Sequence, residues 1–169
     1  MNALVSITGD EERPHAEIAI RVAHETDREF MLGLVPSLLE FGSSLWPDAP
    51  ALGSAFGTAL TEALRCQDQS ATVLIAQAPD GTQLGFISLR VVKDPVTGEE
   101  RAHVADVAVA ETAHRGGIGT ALMNAAEAWA HDHGLNVLSL DVWGTNHRAS
   151  AFYRALGYSI DSLSLVKRL

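Results

Sequence analysis

The chain has 169 residues, a length that fits one domain burying about two thirds of the surface that its unfolded form would expose. Its composition, 47% hydrophobic and 20% charged, is that of an ordinary globular protein and argues against a disordered one. The formal net charge of −9 argues against a non-specific nucleic-acid binder, which needs a basic face, and is compatible with a cationic substrate.

Residues 1–15 show no sustained periodicity, and we expect a tail or arm there, followed by one domain over residues 16–169. The acidic residues at positions 10–12 stand where a secretion signal would need a basic and then an apolar run. No stretch is apolar for long enough to span a bilayer, and the single cysteine, Cys66, cannot form an internal disulfide. We therefore expect a cytoplasmic protein with neither a membrane nor a nucleic acid as partner.

The first third of the chain predicts a strand and two helices. Residues 17–22 alternate between apolar and polar side chains, as a strand does. Thr26 is the expected N-cap of a helix with one apolar face, which Pro36 should bend or divide. Two prolines and several small polar residues predict a loop over residues 42–50, and a second helix is expected over residues 52–66.

The rest of the chain predicts a strand-rich part followed by alternating helices and strands. In chain order, we expect strands over residues 72–78, 84–92 and 103–110, a helix over 117–133, a strand over 136–142, a helix over 146–156 and a last strand over 158–166. Tight turns at 79–81 and 94–98 predict that the first three of these strands form an antiparallel meander. The order favours one α/β (α+β) domain around a central, mixed, mostly antiparallel sheet flanked by helices.

A glycine-rich turn at residues 114–119, His-Arg-Gly-Gly-Ile-Gly, joins the third meander strand to the next helix. The helix start offers unpaired N–H groups and a positive dipole end, and the missing side chains let a diphosphate approach the backbone. A Walker loop would need a Lys after the last glycine, and a dinucleotide-binding fingerprint would need a small residue where Leu122 stands. A turn that serves packing alone stays open at this point.

Residues 146–158 form a second pattern, beyond the following strand. Asn146 is a natural N-cap, and Gly157 is a natural residue to end a helix. Between them, apolar residues recur at helical spacing, at Ala149, Phe152, Tyr153 and Leu156. Taken alone, this pattern is that of a capped amphipathic helix.

Together, the two segments resemble the GNAT superfamily of N-acetyltransferases. The family's cofactor motif reads Gln/Arg-x-x-Gly-x-Gly/Ala, and its second motif commonly reads Asn-x-x-Ala-x-x-Phe-Tyr-x-x-Leu-Gly-Phe/Tyr. Residues 146–158 match the second motif at every fixed position. In the first motif His114 stands where the family has Gln or Arg, and Arg115 would take that place if the turn were one residue shorter. The resemblance covers nearly everything after residue 15.

The resemblance implies a GNAT-like single domain that uses acetyl-CoA as cosubstrate, needs no metal, and transfers acetyl directly to a primary amine in a ternary complex. In the family, the strand end before the glycine turn pairs with the pantetheine arm, the turn binds the pyrophosphate, and the Asn of the second motif contacts the cofactor arm. The implied cofactor-binding residues are therefore Val107, Ala108, Val109, His114, Arg115, Gly116, Gly117, Ile118, Gly119, Thr120 and Asn146.

Tyr153 occupies the family's usual general-acid position, and a phenol with an ordinary pKa of about 10 suits protonation of a leaving thiolate. Its alternative role is that of a buried aromatic residue. His103 and Asp106 are the candidate bases for the amine proton, and a base acting through a water chain stays open. Regular strand alternation places His103 on the face of Val107 and Val109, with Asp106 on the opposite face unless the strand has a bulge.

Trp46 and Trp143 are the candidate acceptor-site residues, although the region over 30–66 that would shape the pocket carries no specific motif. We expect a small-molecule amine as substrate, and the resemblance also allows a homodimer. Two alternatives stay open: a non-catalytic acyl-CoA-binding sensor, and an acetyltransferase that acts on a protein or peptide amine. His131 and His133, two apart on a helix, make a poor metal pair, so no metal site is expected.

Overall fold

The computed structural model describes residues 18–40, 49–114 and 116–167. The elements are β1 (Ala19–Val22), a 3₁₀ turn (Glu25–Asp27), α1 (Arg28–Gly33), α2 (Val35–Leu39), α3 (Ala49–Arg65), β2 (Ala71–Gln77), β3 (Gln83–Lys93), β4 (Glu100–Val109), a 3₁₀ turn (Glu111–Ala113), α4 (Ile118–Asp132), β5 (Leu138–Leu140) and α5 (His147–Ala155). The strands form one sheet in the order β1-β2-β3-β4-β5, antiparallel except for the parallel pair β4 and β5. This confirms the expected fold class. The predicted tail over residues 1–15 lies outside the described residues.

The sheet separates two hydrophobic clusters. Helices α1 to α3 cover one face, where Met31 and Phe86 are fully buried. Helix α4 covers the other face, where Leu122 is fully buried in the same cluster as Ile87 of β3. Helix α5 adds Phe152 at the edge of this second cluster. The two sides of the sheet are called the α1–α3 face and the α4–α5 face below.

A β-bulge interrupts the pairing of β3 with β4. Leu89 pairs with Val104, and Ser88 pairs with Asp106, so Ala105 is an extra residue on β4. A bulge bends the strand that carries it and increases its local twist. The parallel pairing of β4 with β5 ends at Val104, directly before the bulge.

The bulge corrects the expected side-chain directions along β4. Directly paired residues of neighbouring strands share a face. His103 pairs with Arg90 on one side of the bulge, and Asp106 pairs on the other side with the residue two positions earlier in β3. Both side chains therefore lie on the α1–α3 face, whereas Val107 and Val109 pack on the α4–α5 face. The expectation that His103 shares a face with these two valines is wrong, because the extra residue shifts the alternation by one.

The first helices differ from the prediction in their caps. Thr26 is not an N-cap but lies inside the 3₁₀ turn. The N-cap of this turn is His24, and the buried carboxylate of Asp27, the third residue of the turn, accepts a hydrogen bond from the backbone N–H of His24 at 2.8 Å. The division at Pro36 is confirmed, because α1 ends at Gly33 and a separate α2 begins two residues later.

Helix α3 begins at Ala49, before the end of the predicted loop. Pro50 is tolerated there because the first turn of a helix needs no N–H partner. The rest of that predicted loop, residues 42–48, lies outside the described residues. None of the helices in the described ranges combines the length and the apolar composition needed to cross a membrane.

The strand expected over residues 158–166 is wrong. Over the described residues this segment belongs to no sheet, and Ile160, Leu163 and Leu165 are 62%, 77% and 92% exposed. Apolar alternation gives a strand only where a neighbouring edge can pair with its N–H and C=O groups. Edge strand β5 has only three residues, fewer than the seven predicted for it, and is too short to pair with a nine-residue segment.

Candidate active site

Strands β4 and β5 separate near the middle of the sheet. They pair in parallel only from Ala102–Leu138 to Val104–Leu140, while β4 continues to Val109. Over residues 105–109, the edge of β4 turned toward β5 has no strand partner among the described residues. Such an edge presents backbone N–H and C=O groups that can pair with an extended ligand. We call this gap the β4–β5 opening; the predicted pantetheine-binding residues, Val107, Ala108 and Val109, line its β4 side.

The glycine turn leads from the end of β4 into α4. Gly117 caps the helix with a left-handed φ of 76°, a conformation that favours glycine, and a side chain there would meet no atom within 4 Å. The amides of Ile118, Gly119 and Thr120, the first three of the helix, lie too early to donate to a carbonyl four residues back within it. Free amides of this kind, together with the positive end of the helix dipole, can bind an anion such as a pyrophosphate.

His114 contributes to this turn through its side chain. Its Nε2 lies 3.1 Å from the carbonyl oxygen of Val109. A carbonyl can only accept, so Nε2 carries the proton and donates it. The contact ties the start of the turn to the end of β4. Arg115, the other basic residue predicted to bind the pyrophosphate, lies outside the described residues.

The two sequence motifs touch each other. A Cβ atom added to Gly119 would lie 3.2 Å from Cζ of Phe152, so the missing side chain lets α5 pack closely on the start of α4. Helix α5 begins and ends at the predicted caps, which are confirmed. Asn146 Oδ1 accepts a hydrogen bond from the backbone N–H of Ala149 at 2.9 Å, and Gly157 ends the helix with a φ of 92°.

Tyr153 lies half-buried on the α4–α5 face. Its ring stands 5.2 Å from that of Phe152 and 5.9 Å from that of Tyr158. Burial raises the pKa of Tyr153 to about 12, so the phenol keeps its proton at neutral pH. No hydrogen bond joins its hydroxyl to another of the described residues. The same shift means that this phenol holds its proton more tightly than one with the ordinary pKa of about 10.

Polar side chains line up across three strands on the α1–α3 face. His103 lies between Arg90 of β3 and Ser139 of β5, with which it is directly paired. Its Nδ1 is 3.1 Å from Ser139 Oγ, and its Nε2 is 3.9 Å from a carboxylate oxygen of Asp141. Burial lowers the pKa of His103; the carboxylate of Asp141 opposes this, and Arg90 adds to it.

Asp106 extends this polar row on the same face. Burial raises the pKa of its carboxyl, and the positive charge of Arg90 offsets part of the rise. A carboxylate with a raised pKa holds a proton more strongly than an exposed one, which suits a base. His103 and Asp106, the two predicted candidate bases, therefore lie on one face at the edge of the opening.

Sequence reasoning did not single out Ser139, Asp141 and Arg90. Ser139 and Asp141 alternate with apolar residues along the strand predicted over 136–142, which is the signal that could have shown them. Alternation alone does not tell which face carries them; the parallel register of β5 on β4 does.

Of the two predicted acceptor-site residues, the structure describes only Trp143. Trp46 lies outside the described residues. Trp143 is half-buried in the loop before α5, and its carbonyl accepts a hydrogen bond from the backbone N–H of Asn146 at 2.8 Å. Among residues 18–40, 49–114 and 116–167, no group of three or more His, Cys, Asp or Glu is placed to hold a metal ion.

Comparisons with known proteins identify the family of the chain. The model of the Acetyltransferase (GNAT) family matches residues 39–158. The chain is 32% identical over 126 residues to an aminoglycoside N(6′)-acetyltransferase type 1 from Klebsiella aerogenes, covering 73% of this chain and 82% of that one. It is 33% identical over 117 residues to an enzyme of the same name from Stenotrophomonas maltophilia, covering 68% of this chain and 72% of that one.

A solved structure shows the same fold. The structure of AAC(6′)-Iy in complex with the bisubstrate analog CoA-S-monomethyl-acetylneamine has a TM-score of 0.68 and 23% sequence identity, and the match covers 90% of this chain and 98% of that chain. At this identity the likeness supports the architecture alone.

Proposed function

Because the chain belongs to the GNAT family of acetyltransferases, we propose that it transfers acetyl from acetyl-CoA directly to a primary amine of a small cationic molecule of the aminoglycoside class. That it is an acetyl-CoA-dependent N-acetyltransferase follows from the family and its relatives. The observation that carries the proposal is the β4–β5 opening, with a protonated phenol on one face of the sheet and two candidate bases on the other.

The residues around the opening fit acetyl-CoA. The first amides of α4 would hold the pyrophosphate, and the open edge of β4 at Val107, Ala108 and Val109 would pair with the pantetheine arm. Asn146, at the start of α5, would contact the same arm. Bound acetyl-CoA supplies the acetyl group as a reactive thioester.

The acceptor amine must lose a proton before it can attack. We assign this step to His103, with Asp106 as the second candidate, because both lie on the α1–α3 face. The lowered pKa of His103 keeps its imidazole neutral and able to accept a proton at neutral pH. Tyr153, on the opposite face, would give its proton to the departing thiolate.

The turnover number should therefore rise with pH through a midpoint below 6.5, the ordinary value for histidine, because burial lowers the pKa of His103. His103→Gln should remove this acidic limb and lower the plateau. If the limb persists in His103→Gln and disappears in Asp106→Asn, Asp106 is the base. A limb present in both variants would support a water chain instead.

Charge supports a cationic acceptor. The chain carries a net charge of −9, and Asp106 and Asp141 lie on the face assigned to the amine. The two relatives named as aminoglycoside acetyltransferases support a small molecule with several amino groups as the acceptor.

The test is to offer the enzyme a panel of aminoglycosides, polyamines and short peptides and to measure turnover by the release of free coenzyme A thiol. We expect turnover with aminoglycosides bearing a 6′-amino group and little with peptides. Turnover with peptides alone would contradict the aminoglycoside proposal and indicate a protein or peptide amine as the acceptor. Binding of acetyl-CoA without turnover on any amine would favour the sensor alternative.

A further inference from the structure

The hydroxyl of Ser139 lies between two groups of β4. It is 3.1 Å from the carbonyl oxygen of Ala102 and 3.1 Å from Nδ1 of His103. A hydroxyl has one proton to donate, and a carbonyl oxygen can only accept. If the proton pointed elsewhere, two oxygen lone pairs would face each other at 3.1 Å. The proton of Ser139 is therefore directed at Ala102.

This leaves the Ser139 oxygen only as an acceptor toward His103. The remaining hydrogen bond then requires a proton on Nδ1, because a bare nitrogen would have nothing to receive from Ser139. In the neutral imidazole the other nitrogen, Nε2, must then carry the lone pair. That nitrogen is the one 3.9 Å from the exposed carboxylate of Asp141.

The charged groups around the ring come from three strands. Arg90 lies on β3, Arg101 and Asp106 on β4, and Asp141 directly after β5. Helix α2 also packs against β4 but contributes no titratable residue. Asp141 favours the charged ring, whereas burial and the two arginines favour the neutral one.

We propose that Ser139 is a positioning residue, which selects the Nδ1–H tautomer of His103 and so presents Nε2 as the basic nitrogen beside Asp141. The inference rests on the proposed role of His103 as base. Ser139 and Asp141 then have separate effects. The Ser139 hydrogen bond can form with both the neutral and the charged ring, so it sets which nitrogen reacts. Asp141 sets how strongly that nitrogen holds its proton.

The tautomer can be read without turnover, by long-range ¹H–¹⁵N NMR of the histidine rings in the intact enzyme. The spectrum of His103→Gln identifies the His103 signals by their loss. We expect the wild-type ring to show a protonated Nδ1 and a bare Nε2 at a pH where it is neutral. A protonated Nε2 in the neutral wild-type ring would overturn the proposal, whether or not His103 proves to be the base.

Kinetics separate the two residues. Ser139→Ala should lower the plateau of turnover about fivefold to tenfold, the factor expected from losing one ordinary hydrogen bond, while the midpoint of the pH profile stays in place. Ser139→Thr, which keeps the hydroxyl, should recover most of the loss and also serves if the alanine variant folds poorly. Asp141→Asn should move the midpoint to lower pH.

Two results would refute the positioning role. One is a Ser139→Ala enzyme with full turnover and an unchanged His103 tautomer. The other is a loss that Ser139→Thr shares in full, because the hydroxyl would then not be the group that matters. If His103→Gln itself retains turnover, the base assignment fails, and the NMR measurement still decides whether Ser139 fixes the ring.

Discussion

The two faces of the sheet contribute to the proposed site by different means. On the α4–α5 face the proposed binding groups are mostly backbone: helix amides after Gly117 and the open edge of β4. On the α1–α3 face the proposed groups are side chains, chiefly His103, Asp106 and Ser139. Backbone sites demand particular residues, such as a glycine with positive φ, and these leave a readable motif. Side-chain sites depend on strand register, which leaves a much weaker trace in the sequence.

The largest expected effect concerns the one side chain on the α4–α5 face assigned to chemistry. Tyr153→Phe should lower turnover about 100-fold, the usual size of a general-acid contribution, while the affinity for coenzyme A measured by calorimetry stays unchanged. The matched control is Tyr158→Phe, since that hydroxyl only contacts Glu127 at 3.2 Å near the surface. Equal turnover in the two variants would remove Tyr153 as the acid and make this face purely a binding surface.

The stability of the α1–α3 face should be the more sensitive of the two to low pH. Buried Asp27 accepts two hydrogen bonds of 2.7 Å from Arg21 and a further one from Gln83, joining β1, the start of α1 and β3. The Arg21 guanidinium, aided by the backbone of His24, lowers the pKa of Asp27 to about 2. A carboxyl with a lowered pKa stabilises the fold above its ordinary pKa of 3.8 and loses that contribution as the pH falls toward 2.

Asp27→Asn should therefore lower the free energy of unfolding by about 2 kcal/mol at neutral pH, measured by urea denaturation. The difference from wild type should shrink between pH 4 and pH 2, roughly the window set by the two pKa values. Asp80→Asn, in an exposed turn, is the control and should stay within about 0.5 kcal/mol. A constant difference across this range would mean that the charge of Asp27 does not stabilise the face.

A smaller effect tests the backbone site. Gly117→Ala forces a side chain into a left-handed conformation that costs about 1–2 kcal/mol, and relaxation of the turn should weaken coenzyme A binding up to about tenfold. Gly98→Ala is matched, because Gly98 has nearly the same φ, 74°, and the same free space but lies in the turn between β3 and β4. If both variants lose the same affinity, the loss reflects general destabilisation and not the turn.

The smallest effect tests the contact between the two motifs. Gly119→Ala places a Cβ within 3.2 Å of Phe152, a crowding that a small shift of the ring can relieve, so we expect a loss of stability below about 1 kcal/mol. Phe152→Leu combined with it should lose less than the sum of the two single changes, because the smaller side chain frees that space. Strict additivity in thermal unfolding would show that the motifs do not interact through this contact.

The contrast between local backbone preferences and strand register also explains which features the sequence could predict. The caps at Asn146 and Gly157 and the division at Pro36 are confirmed because each depends on a local backbone preference. The bulge at Ala105 has no such preference behind it, since alanine fits a regular strand equally well. The prediction of a last strand is wrong because the alternation of apolar residues is a local feature of the sequence. Strand formation also needs a neighbouring strand, which the local sequence does not show. The pairing of His103 with Ser139, 36 residues apart, required the register of two parallel strands.

The bulge has a consequence for how the chain tolerates change in length. Because Leu89 and Ser88 are already paired on either side of Ala105, deleting that residue would leave every side chain of β4 on its present face. The deletion would remove the bend in β4. Strand β5 could then continue to pair with β4 past Val104, which would close the β4–β5 opening. Substitution of Ala105 by another small amino acid should therefore preserve activity, whereas its deletion should abolish it. A residue that matters through its presence in the chain more than through its side chain would be missed by a search that compares side chains alone.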